Sequence, residues 1–359
     1  MRESASMQPN PELRAVLDRF SKARIAVVGD LVADEYVYGE TERISREAPV
    51  LIVRYESGDV KLGCAANAVA NLCALGARVS PVGLLGDDAI GERLRGMLRE
   101  AGARVDGILS APGLATATKT RVLAGGKNTR RQQMLRIDRD GPRATPASLL
   151  GRLLRALKDA AREADAIMVS DYGLGLLSPP VVEAVLGLAR SGRVVCADSR
   201  FGLSQYRGVT LAKPNEVELE QLAARPLTEP SALEEAGRDL LRSLQAKALL
   251  VTRGRSGMVL LRPGAPTALL PVHGSAEAVD VTGAGDTVMA ASTLALACGA
   301  DPVQAARLAN VAGALVVQKP GTATVGAAEL REELLRVPVA EAELLEAAPE
   351  PGRRRRERR

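Results

Sequence analysis

Residues 278–288, which read Ala-Val-Asp-Val-Thr-Gly-Ala-Gly-Asp-Thr-Val, combine residue types that could transfer a charged group. An apolar run of small residues follows from Val288 to Cys298 and predicts a buried helix. Three small residues lie at the expected helix start: Gly283, Ala284 and Gly285. The first N–H groups of a helix have no helical partner, and together with the helix dipole they form an anion site.

Asp286 enters in the first turn of this helix, beside the anion site. We expect its carboxylate to stay ionised, because the helix dipole favours a negative charge there. The carboxylate could accept the proton of a hydroxyl group while the amides stabilise the charge of a transferred phosphoryl group. The alternative, from these residues alone, is a glycine-rich helix start in which Asp286 is only an N-terminal charge.

Other polar residues stand where predicted strands end. Asp30 follows the apolar run 24–29, with Asp34 shortly after it, and Asp171 follows the run 166–170. Because α/β proteins bind ligands at the carboxyl ends of parallel strands, Asp30 and Asp34 are candidates for binding hydroxyl groups. An Asx turn is the alternative at these positions.

Strands and helices alternate through most of the chain, which predicts βαβ units and a mostly parallel sheet with helices on both faces. Predicted strands include 24–29, 79–84, 166–170, 193–197 and 248–252, and predicted helices include 90–100, 149–161, 179–190, 302–318 and 327–335. Two further strands, 257–261 and 268–272, are expected to be antiparallel at the sheet edge.

Two polar strands, 115–123 and 131–138, should form a hairpin around a turn at 125–128. They carry three cationic residues that would suit a phosphorylated substrate: Lys119, Arg121 and Arg136. Exposed charges of a solvated hairpin are the alternative.

Composition excludes several classes of protein. The apolar fraction is 46% and the aromatic fraction is 2%, so the core must be aliphatic. The chain has one histidine, His273, which excludes a histidine-based triad and a multi-histidine metal site. It has neither the G-x-x-x-x-G-K-[ST] motif nor a G-x-G-x-x-G motif after the first strand, which argues against a P-loop and a dinucleotide-binding fold.

Charge and cysteine usage bear on location and partners. The tail 353–359 carries six Arg and one Glu, which accounts for the whole formal net charge of +5. Such a tail could contact nucleic acid or acidic lipid, but it is more often a solvated, disordered end. The cysteines form no C-x-x-C pair, and the sequence shows neither an apolar signal segment nor an apolar run of membrane-spanning length. These features indicate a cytoplasmic protein.

Asp280, Thr282 and residues 283–286 together spell D-x-T-G-A-G-D, which resembles the second signature of the ribokinase-like (PfkB) carbohydrate kinases. The resemblance implies that Asp286 is the catalytic base and that the three preceding amides form the anion hole. It covers roughly 24–336 and implies a three-layer α/β sandwich with a small lid of strands at about 34–58 and 114–138. It further implies ATP and Mg²⁺ as cofactors, leaves a need for K⁺ open, and implies a homodimer through the lid strands.

Further motifs extend the resemblance. Gly63 and Asn67 resemble the first signature and Asn67 matches its sugar-binding Asn, although Cys64 stands where the family usually has a second glycine. Asn215 and Glu218 match the N-x-x-E pair that organises Mg²⁺ near the phosphates. The resemblance assigns a further set to the nucleotide, together with Asn215: Thr252, Arg253, Gly254, Gly257 and Asn310.

One branch of the family is most similar. Five segments resemble the heptose 7-phosphate kinases of lipopolysaccharide synthesis: 43–50, 118–121, 132–138, 170–172 and 321–325. These kinases phosphorylate the anomeric hydroxyl of D-glycero-β-D-manno-heptose 7-phosphate. The substrate-binding set that the resemblance implies is Asp30, Asp34, Gly63, Asn67, Lys119, Arg121, Arg136 and Asp171.

The sequence leaves two alternative functions open and predicts a division into domains. The chain could be another sugar kinase of the same fold, of the ribokinase or fructokinase type, or a non-catalytic protein that senses sugars or binds nucleic acid with its Arg-rich tail. We expect a leader over 1–20, the kinase domain over 21–338 and a charged tail over 339–359. That leaves no room for the nucleotidyltransferase domain of the bifunctional relatives.

Overall fold

The structure is a computed structural model that describes residues 9–126, 129, 131–141 and 144–344. The strands are β1 (Arg24–Gly29), β2 (Leu31–Ile44), β3 (Leu51–Cys64), β4 (Arg78–Gly86), β5 (Ile108–Ala111), β6 (Thr118–Gly125), β7 (Gln132–Arg139), β8 (Ala166–Asp171), β9 (Val194–Ser199), β10 (Leu211–Ala212), β11 (Ala248–Thr252), β12 (Met258–Leu261), β13 (Ala268–Leu270) and β14 (Glu343–Leu344). The α-helices are α1 (Pro11–Leu17), α2 (Ala65–Ala74), α3 (Ala89–Glu100), α4 (Ala147–Glu163), α5 (Pro179–Arg190), α6 (Glu216–Ala223), α7 (Pro230–Leu244), α8 (Ala284–Ala297), α9 (Pro302–Val316) and α10 (Ala327–Arg336).

A large sheet with the strand order β14-β13-β12-β11-β10-β9-β8-β1-β4-β5 forms the centre of the molecule. The neighbouring strands β5, β4, β1, β8, β9, β10 and β11 pair in parallel. At the other edge, β12, β13 and β14 pair antiparallel. The predicted α/β class and the predicted antiparallel edge are therefore confirmed.

Side chains along the buried strands point alternately to the two faces of the sheet, so the core has two layers. On β1, Ile25 and Val27 belong to one hydrophobic cluster, with side chains of α1, α2, α3, α8, α9 and α10. Ala26 and Val28 point to the opposite face and belong to a second cluster, with side chains of α4, α5 and α7. Successive side chains of a strand point to opposite faces, so a strand buried on both sides needs helices on both sides. The result is the three-layer sandwich expected from the sequence.

A second, four-stranded sheet has the order β3-β2-β6-β7, and we call it the lid. Strand β6 is parallel to β2 and antiparallel to β7, as expected for the predicted hairpin. Lys127 and Asn128 of the predicted turn lie outside the described residues. Asp34 and Arg136 lie opposite Lys119 and Arg121, respectively. Side chains that lie opposite each other share a face, so one face of the lid collects charged residues of β2, β6 and β7.

The first and the last residues that the structure describes pack onto the main body. Leu13 of α1 and Phe20 are fully buried in the core. Arg307 of α9 forms an ion pair with Glu12 and donates a hydrogen bond to the carbonyl of Val339. Residues 339–344, part of the charged tail expected from the sequence, thus contact the body through Val339 and through the pairing of β14 with β13. Within the described ranges, no helix is both long and apolar enough to cross a membrane.

Candidate active site

Helix α8 begins at Ala284, one of the three small residues expected at its start, and Asp286 lies in its first turn as predicted. Gly283 caps the helix with a φ of 79°, in the left-handed region that favours glycine. A Cβ atom at this position would lie 2.5 Å from Nδ2 of Asn67. Glycine is therefore required at this position both for its backbone conformation and for the close approach of α2.

Two side chains from distant parts of the chain hold the carboxylate of Asp286. Nδ2 of Asn67, on α2, donates to Oδ2 over 2.9 Å. The hydroxyl of Tyr172, in the loop after β8, donates to Oδ1 over 2.8 Å. Asn71 donates to Oδ1 of Asn67, which leaves the amide nitrogen of Asn67 directed at Asp286. The carboxylate thus has one protein donor on each oxygen.

Burial changes the expected protonation of Asp286. Loss of hydration raises its pKa to about 7, although the hydrogen bonds from Asn67 and Tyr172 act in the opposite direction. Asp198 raises the pKa further and Lys213 lowers it. The expectation that the dipole would simply keep this carboxylate ionised is therefore corrected: near neutral pH the protonated and ionised forms are both populated.

One of the backbone amides predicted to form the anion hole already has a hydrogen-bond acceptor. The amide of Ala284 donates to the carbonyl of Val281, with an N···O distance of 3.2 Å, so it is already engaged. The amides of Gly285 and Asp286 lie in the first helical turn, where no intrahelical acceptor exists. Lys213 lies next to this turn, because a Cβ atom on Gly285 would be 3.5 Å from its Nζ. Lys213 therefore lies beside the helix turn that carries the amides of Gly285 and Asp286.

Lys213 and Asp198 form a buried ion pair with an Nζ···Oδ2 distance of 2.8 Å. Burial opposes the charge of the lysine, but the charge and hydrogen bond of Asp198 outweigh it, and the pKa of Lys213 is raised. A pocket of about 330 Å³ opens beside this pair, which we call the phosphate pocket. Its lining includes Asp198, Lys213, Asn215, Glu218 and Gly285.

Asn215 and Glu218 form a reciprocal capping box at the start of α6. Oδ1 of Asn215 accepts from the amide of Glu218, and Oε2 of Glu218 accepts from the amide of Asn215, both over 2.8 Å. One side-chain oxygen of Glu218 is not used by the box. No cluster of three or more His, Cys, Asp or Glu side chains that could hold a metal ion occurs within the described residues. A metal bound by this pair would therefore need ligands from a substrate or from water.

A second cleft of about 730 Å³ shares Gly285 at the start of α8 with the phosphate pocket, and we call it the nucleotide cleft. Thr252, Gly254, Gly257 and Asn310, which the resemblance assigned to the nucleotide, line it together with apolar residues of α8 and α9, and their binding role stays a prediction. Nδ2 of Asn310 donates to the carbonyl of Pro271 over 2.6 Å. Arg253 does not line this cleft and instead forms an ion pair with Glu216 of α6.

The charged face of the lid approaches Asp286 from the other direction. Arg121 forms an ion pair with Asp34, and both side chains are largely buried, at 15% and 5% exposure. Nζ of Lys119 lies 3.2 Å from Sγ of Cys64 and 5.1 Å from the ring centroid of Tyr172. Gly63 is needed here, because a Cβ atom would lie 2.6 Å from Oδ2 of Asp34. The structure thus brings Asp34, Lys119 and Arg121 together at the foot of the lid.

Arg136 lies farther out on the same face of the lid. Its guanidinium forms a bidentate pair with Asp138, at distances of 2.7 and 2.9 Å. Both side chains are about half-exposed. Arg136 opposes Arg121 in the sheet register, but its charge is already balanced by Asp138.

Asp30 and Asp171 have mainly structural partners. Oδ2 of Asp30 accepts from the amides of Tyr172 and Leu174, and burial raises the pKa of Asp30 to about 6. Oδ2 of Asp171 accepts from the hydroxyls of Ser199 and Tyr206. Both carboxylates therefore brace the loop after β8, and their predicted contact with substrate stays a prediction.

Sequence reasoning did not assign three residues that the structure places at the site: Tyr172, Asp198 and Lys213. Each follows a predicted strand, and the strand-end rule that singled out Asp30 also points to Asp198, but none of the three was given a role in the site. Lys213 also lies two residues before Asn215 of the N-x-x-E pair. A polar side chain just after an apolar strand was the available signal.

The arrangement defines a class of protein. A buried carboxylate with a pKa of about 7, next to helix amides and a lysine, can accept a proton from an alcohol while a phosphoryl group moves toward that alcohol. The molecule is a phosphotransferase with an alcohol group as acceptor. The model of the pfkB family carbohydrate kinases matches residues 22–328, and the chain belongs to this family.

Individual relatives agree with this family. The bifunctional protein HldE of Desulfatibacillum aliphaticivorans is 40% identical over 324 residues, which are 89% of this chain and 65% of that protein. The bifunctional protein HldE of Methylococcus capsulatus is 42% identical over 318 residues, which are 88% of this chain and 64% of that protein. The chain thus spans slightly less than two thirds of the length of these relatives.

Solved structures support the fold. Arabidopsis thaliana ribokinase, in complex with ribose and ATP, superposes with a TM-score of 0.69 at 23% identity and covers 88% of this chain and 99% of that one. Escherichia coli phosphofructokinase-2, in complex with substrates and products, has a TM-score of 0.71 at 19% identity and covers 87% and 98%. At these identities the superpositions show a shared ribokinase-like fold.

Proposed function

We propose that this kinase transfers the γ-phosphoryl group of ATP to the anomeric hydroxyl of D-glycero-β-D-manno-heptose 7-phosphate. The product would be the 1,7-bisphosphate, a precursor for ADP-heptose and lipopolysaccharide core synthesis in the cytoplasm. The observation that carries the proposal is the position of Asp286. Its carboxylate lies where the cationic foot of the lid meets the phosphate pocket, with Lys119 linked to it through Tyr172 and Lys213 on the other side.

The choice of sugar rests on two supports. The most similar relatives named above are HldE proteins, at about 40% identity over most of this chain. Arg121 and Lys119 also place two cations at the foot of the lid. Charge-assisted hydrogen bonds to a phosphate contribute roughly 1.5–3 kcal/mol each, so two of them would favour a phosphorylated sugar over a neutral one.

The residues of this chain would act as follows. The acceptor hydroxyl gives its proton to Asp286 as its oxygen bonds to the γ-phosphorus, while the bond from that phosphorus to the bridging oxygen of ADP breaks and ADP leaves. The amides of Gly285 and Asp286, together with Lys213, stabilise the negative charge on the moving group. The adenine and ribose of ATP would occupy the nucleotide cleft, whose small residues Gly254 and Gly257 leave room for them. Catalysis is thus positioning and charge stabilisation, as is general for phosphoryl transfer.

The phosphate pocket also fits Mg²⁺. This ion prefers oxygen ligands, keeps several waters and is usually held by one or two carboxylates plus substrate phosphates. Asn215 and Glu218 supply such oxygens on the pocket wall. When bound there, Mg²⁺ would neutralise phosphate charge. A need for K⁺ stays a prediction that rates in matched K⁺ and Na⁺ buffers would test.

The substrate test is an ATP-consumption assay with purified protein over sugars and sugar phosphates. We expect heptose 7-phosphate to give a kcat/KM on the order of 10² to 10⁴ times that of ribose, fructose or unphosphorylated heptose, from two charge-assisted contacts. Equal use of ribose or fructose would refute the choice of substrate and leave the kinase class intact. A protein lacking residues 345–359 should show the same ranking, because we assign phosphoryl transfer to residues 21–338.

We also propose that the chain forms a homodimer through the lid. Leu135 and Ile137 of β7 lie opposite Val122 and Thr120, on the face turned away from Arg121, and they are 48% and 56% exposed. Burying these apolar side chains against a second lid would stabilise association. Light scattering of the wild type and of Ile137→Lys tests this: a dimer should become a monomer, and an unchanged mass would refute a lid interface.

A further inference from the structure

Tyr172 stands between the lid and the catalytic carboxylate. Its amide donates to Oδ2 of Asp30 over 2.8 Å, which fixes the start of the loop after β8. Its ring packs against a small cluster of buried residues at the foot of the lid that includes Cys64. Nζ of Lys119 lies 5.1 Å from the ring centroid, within range of a cation–π contact. Tyr172 is therefore held in place by contacts of its backbone amide, its ring and its hydroxyl.

The hydroxyl contact is specific to Asp286. It donates to Oδ1 over 2.8 Å, while Asn67 donates to Oδ2 over 2.9 Å. Burial and the nearby charge of Asp286 raise the pKa of the phenol well above its ordinary value, so Tyr172 stays neutral and donates. Two donors on two oxygens fix the plane of the carboxylate, and each oxygen keeps a lone pair for a further donor.

We propose that Tyr172 is a positioning residue for the base, and that its hydroxyl holds Oδ1 of Asp286 in the orientation that receives the proton of the acceptor hydroxyl. This inference rests on the proposed function, in which Asp286 accepts that proton. The proton passes from the acceptor hydroxyl to the carboxylate, and the phenol keeps its own proton throughout. Without the phenol, Asn67 alone would hold the carboxylate, which could then rotate away from a productive geometry.

The hydrogen bond should also set the pH at which the base ionises. Four groups act on Asp286: Asn67 and Tyr172 through hydrogen bonds, Asp198 through repulsion and Lys213 through attraction. The thiol of Cys64 lies nearby but stays protonated, because burial raises its pKa. Among these groups, Tyr172 can lose its contact by the removal of a single oxygen atom.

Tyr172→Phe is therefore the decisive variant, because it keeps the ring over Lys119 and removes only the hydroxyl. We expect kcat to fall about 10-fold or more, the scale of one lost hydrogen bond to a charged group. The KM for ATP should change much less than kcat, because Tyr172 does not line the nucleotide cleft, although it lines the phosphate pocket. The acid limb of the kcat/KM profile should move to higher pH by about one pH unit.

Tyr206→Phe is the matched control. Its hydroxyl is also buried and donates to a carboxylate, Oδ2 of Asp171, but it does not contact Asp286. We expect this variant to keep the wild-type position of the acid limb. If Tyr206→Phe moved the limb as far as Tyr172→Phe, the effect would be general loosening of the loop, and the proposal would be wrong.

A double-mutant comparison and a titration complete the test. In an Asp286→Asn background, Tyr172→Phe should lower kcat no further, whereas a purely structural role would lower it by the same factor again. NMR titration of the Asp286 side-chain carbon needs no substrate and should show a higher pKa in Tyr172→Phe than in the wild type. An unchanged titration overturns the proposal whatever the sugar is. A shifted titration in a protein that phosphorylates no sugar would instead refute the proposed function alone.

Discussion

Nδ2 of Asn67 lies 2.9 Å from Oδ2 of Asp286, although 219 residues separate the two in the sequence. The contact joins the first turn of α2, which follows the lid strand β3, to the first turn of α8. Thr287 reinforces it by donating to Oδ1 of Asn71, one turn further along α2. The place of the base therefore depends on how closely these two small-residue helices pack.

Removal of the proton acceptor should stop turnover and leave binding intact. Asp286→Asn keeps the shape of the side chain, and we expect kcat to fall by about 10²-fold or more, the scale of general-base catalysis. The KM values for ATP and for the sugar should change far less. Steady-state kinetics on protein shown to be folded by circular dichroism checks this, and near-normal turnover would contradict the assignment.

The pH dependence of the wild type follows from the raised pKa of Asp286. Only the ionised carboxylate can accept a proton, and burial raises its pKa to about 7. We therefore expect kcat/KM to rise with pH through an acid limb near pH 7 and to fall about tenfold per unit well below it. A base of ordinary pKa would instead keep full activity at pH 5.5, and that result would show that the pKa of the base is not raised.

The metal role of Glu218 can be separated from its capping role. In Glu218→Gln the side-chain oxygen can still accept from the amide of Asn215, so the melting temperature should stay within about 2 °C of the wild type. The Mg²⁺ concentration for half-maximal rate should rise several-fold, because a charged oxygen is lost. Glu220→Gln on the same helix is the control and should change neither value. Full activity of Glu218→Gln at unchanged Mg²⁺ would show that the pair only caps α6.

Arg121 and Arg136 should differ in their effect on the substrate. Arg121→Ala should lower kcat/KM for the phosphorylated sugar by about 10- to 100-fold, the range of one charge-assisted hydrogen bond. Arg136→Ala should cost less, because Arg136 and Asp138 are about half-exposed and solvent screens their charges, whereas Arg121 is largely buried. Neither variant should change the KM for ATP. An equal loss on phosphorylated and unphosphorylated sugars would mean that Arg121 serves only to balance Asp34.

Cys64 should carry backbone strain. It has a φ of 53° and a ψ of −129°, a conformation that glycine adopts readily and other residues adopt at a cost of about 1–3 kcal/mol. We expect Cys64→Gly to raise the free energy of unfolding by about 1 kcal/mol, once the extra freedom of glycine in the unfolded chain is included.

Cys64→Ala is the matched control, because it removes the thiol and keeps the Cβ atom. Urea unfolding of both variants would show whether strain or the contact with Lys119 matters more. If the alanine variant were the more stable of the two, as at an unstrained site, the strain would be absent.

The sequence by itself determined the features that local order sets. The D-x-T-G-A-G-D run contains both the amides and the base, and the N-x-x-E spacing by itself produces the capping box of α6. The alternation of apolar strands and helices was enough to predict a parallel sheet covered on both faces. These features depend on neighbouring residues and on the periods of helix and strand, which the sequence displays directly.

Only the tertiary structure decided what surrounds the base. Tyr172 lies 114 residues from Asp286 in the sequence, and no spacing rule connects them. The same packing turns Asp30 toward backbone amides and brings Lys213 beside the helix start. It also buries Asp286, and the loss of hydration, which the sequence argument from the helix dipole did not include, outweighs the hydrogen bonds from Asn67 and Tyr172. Burial depends on every element packed around a group, so it is decided only when the chain has folded.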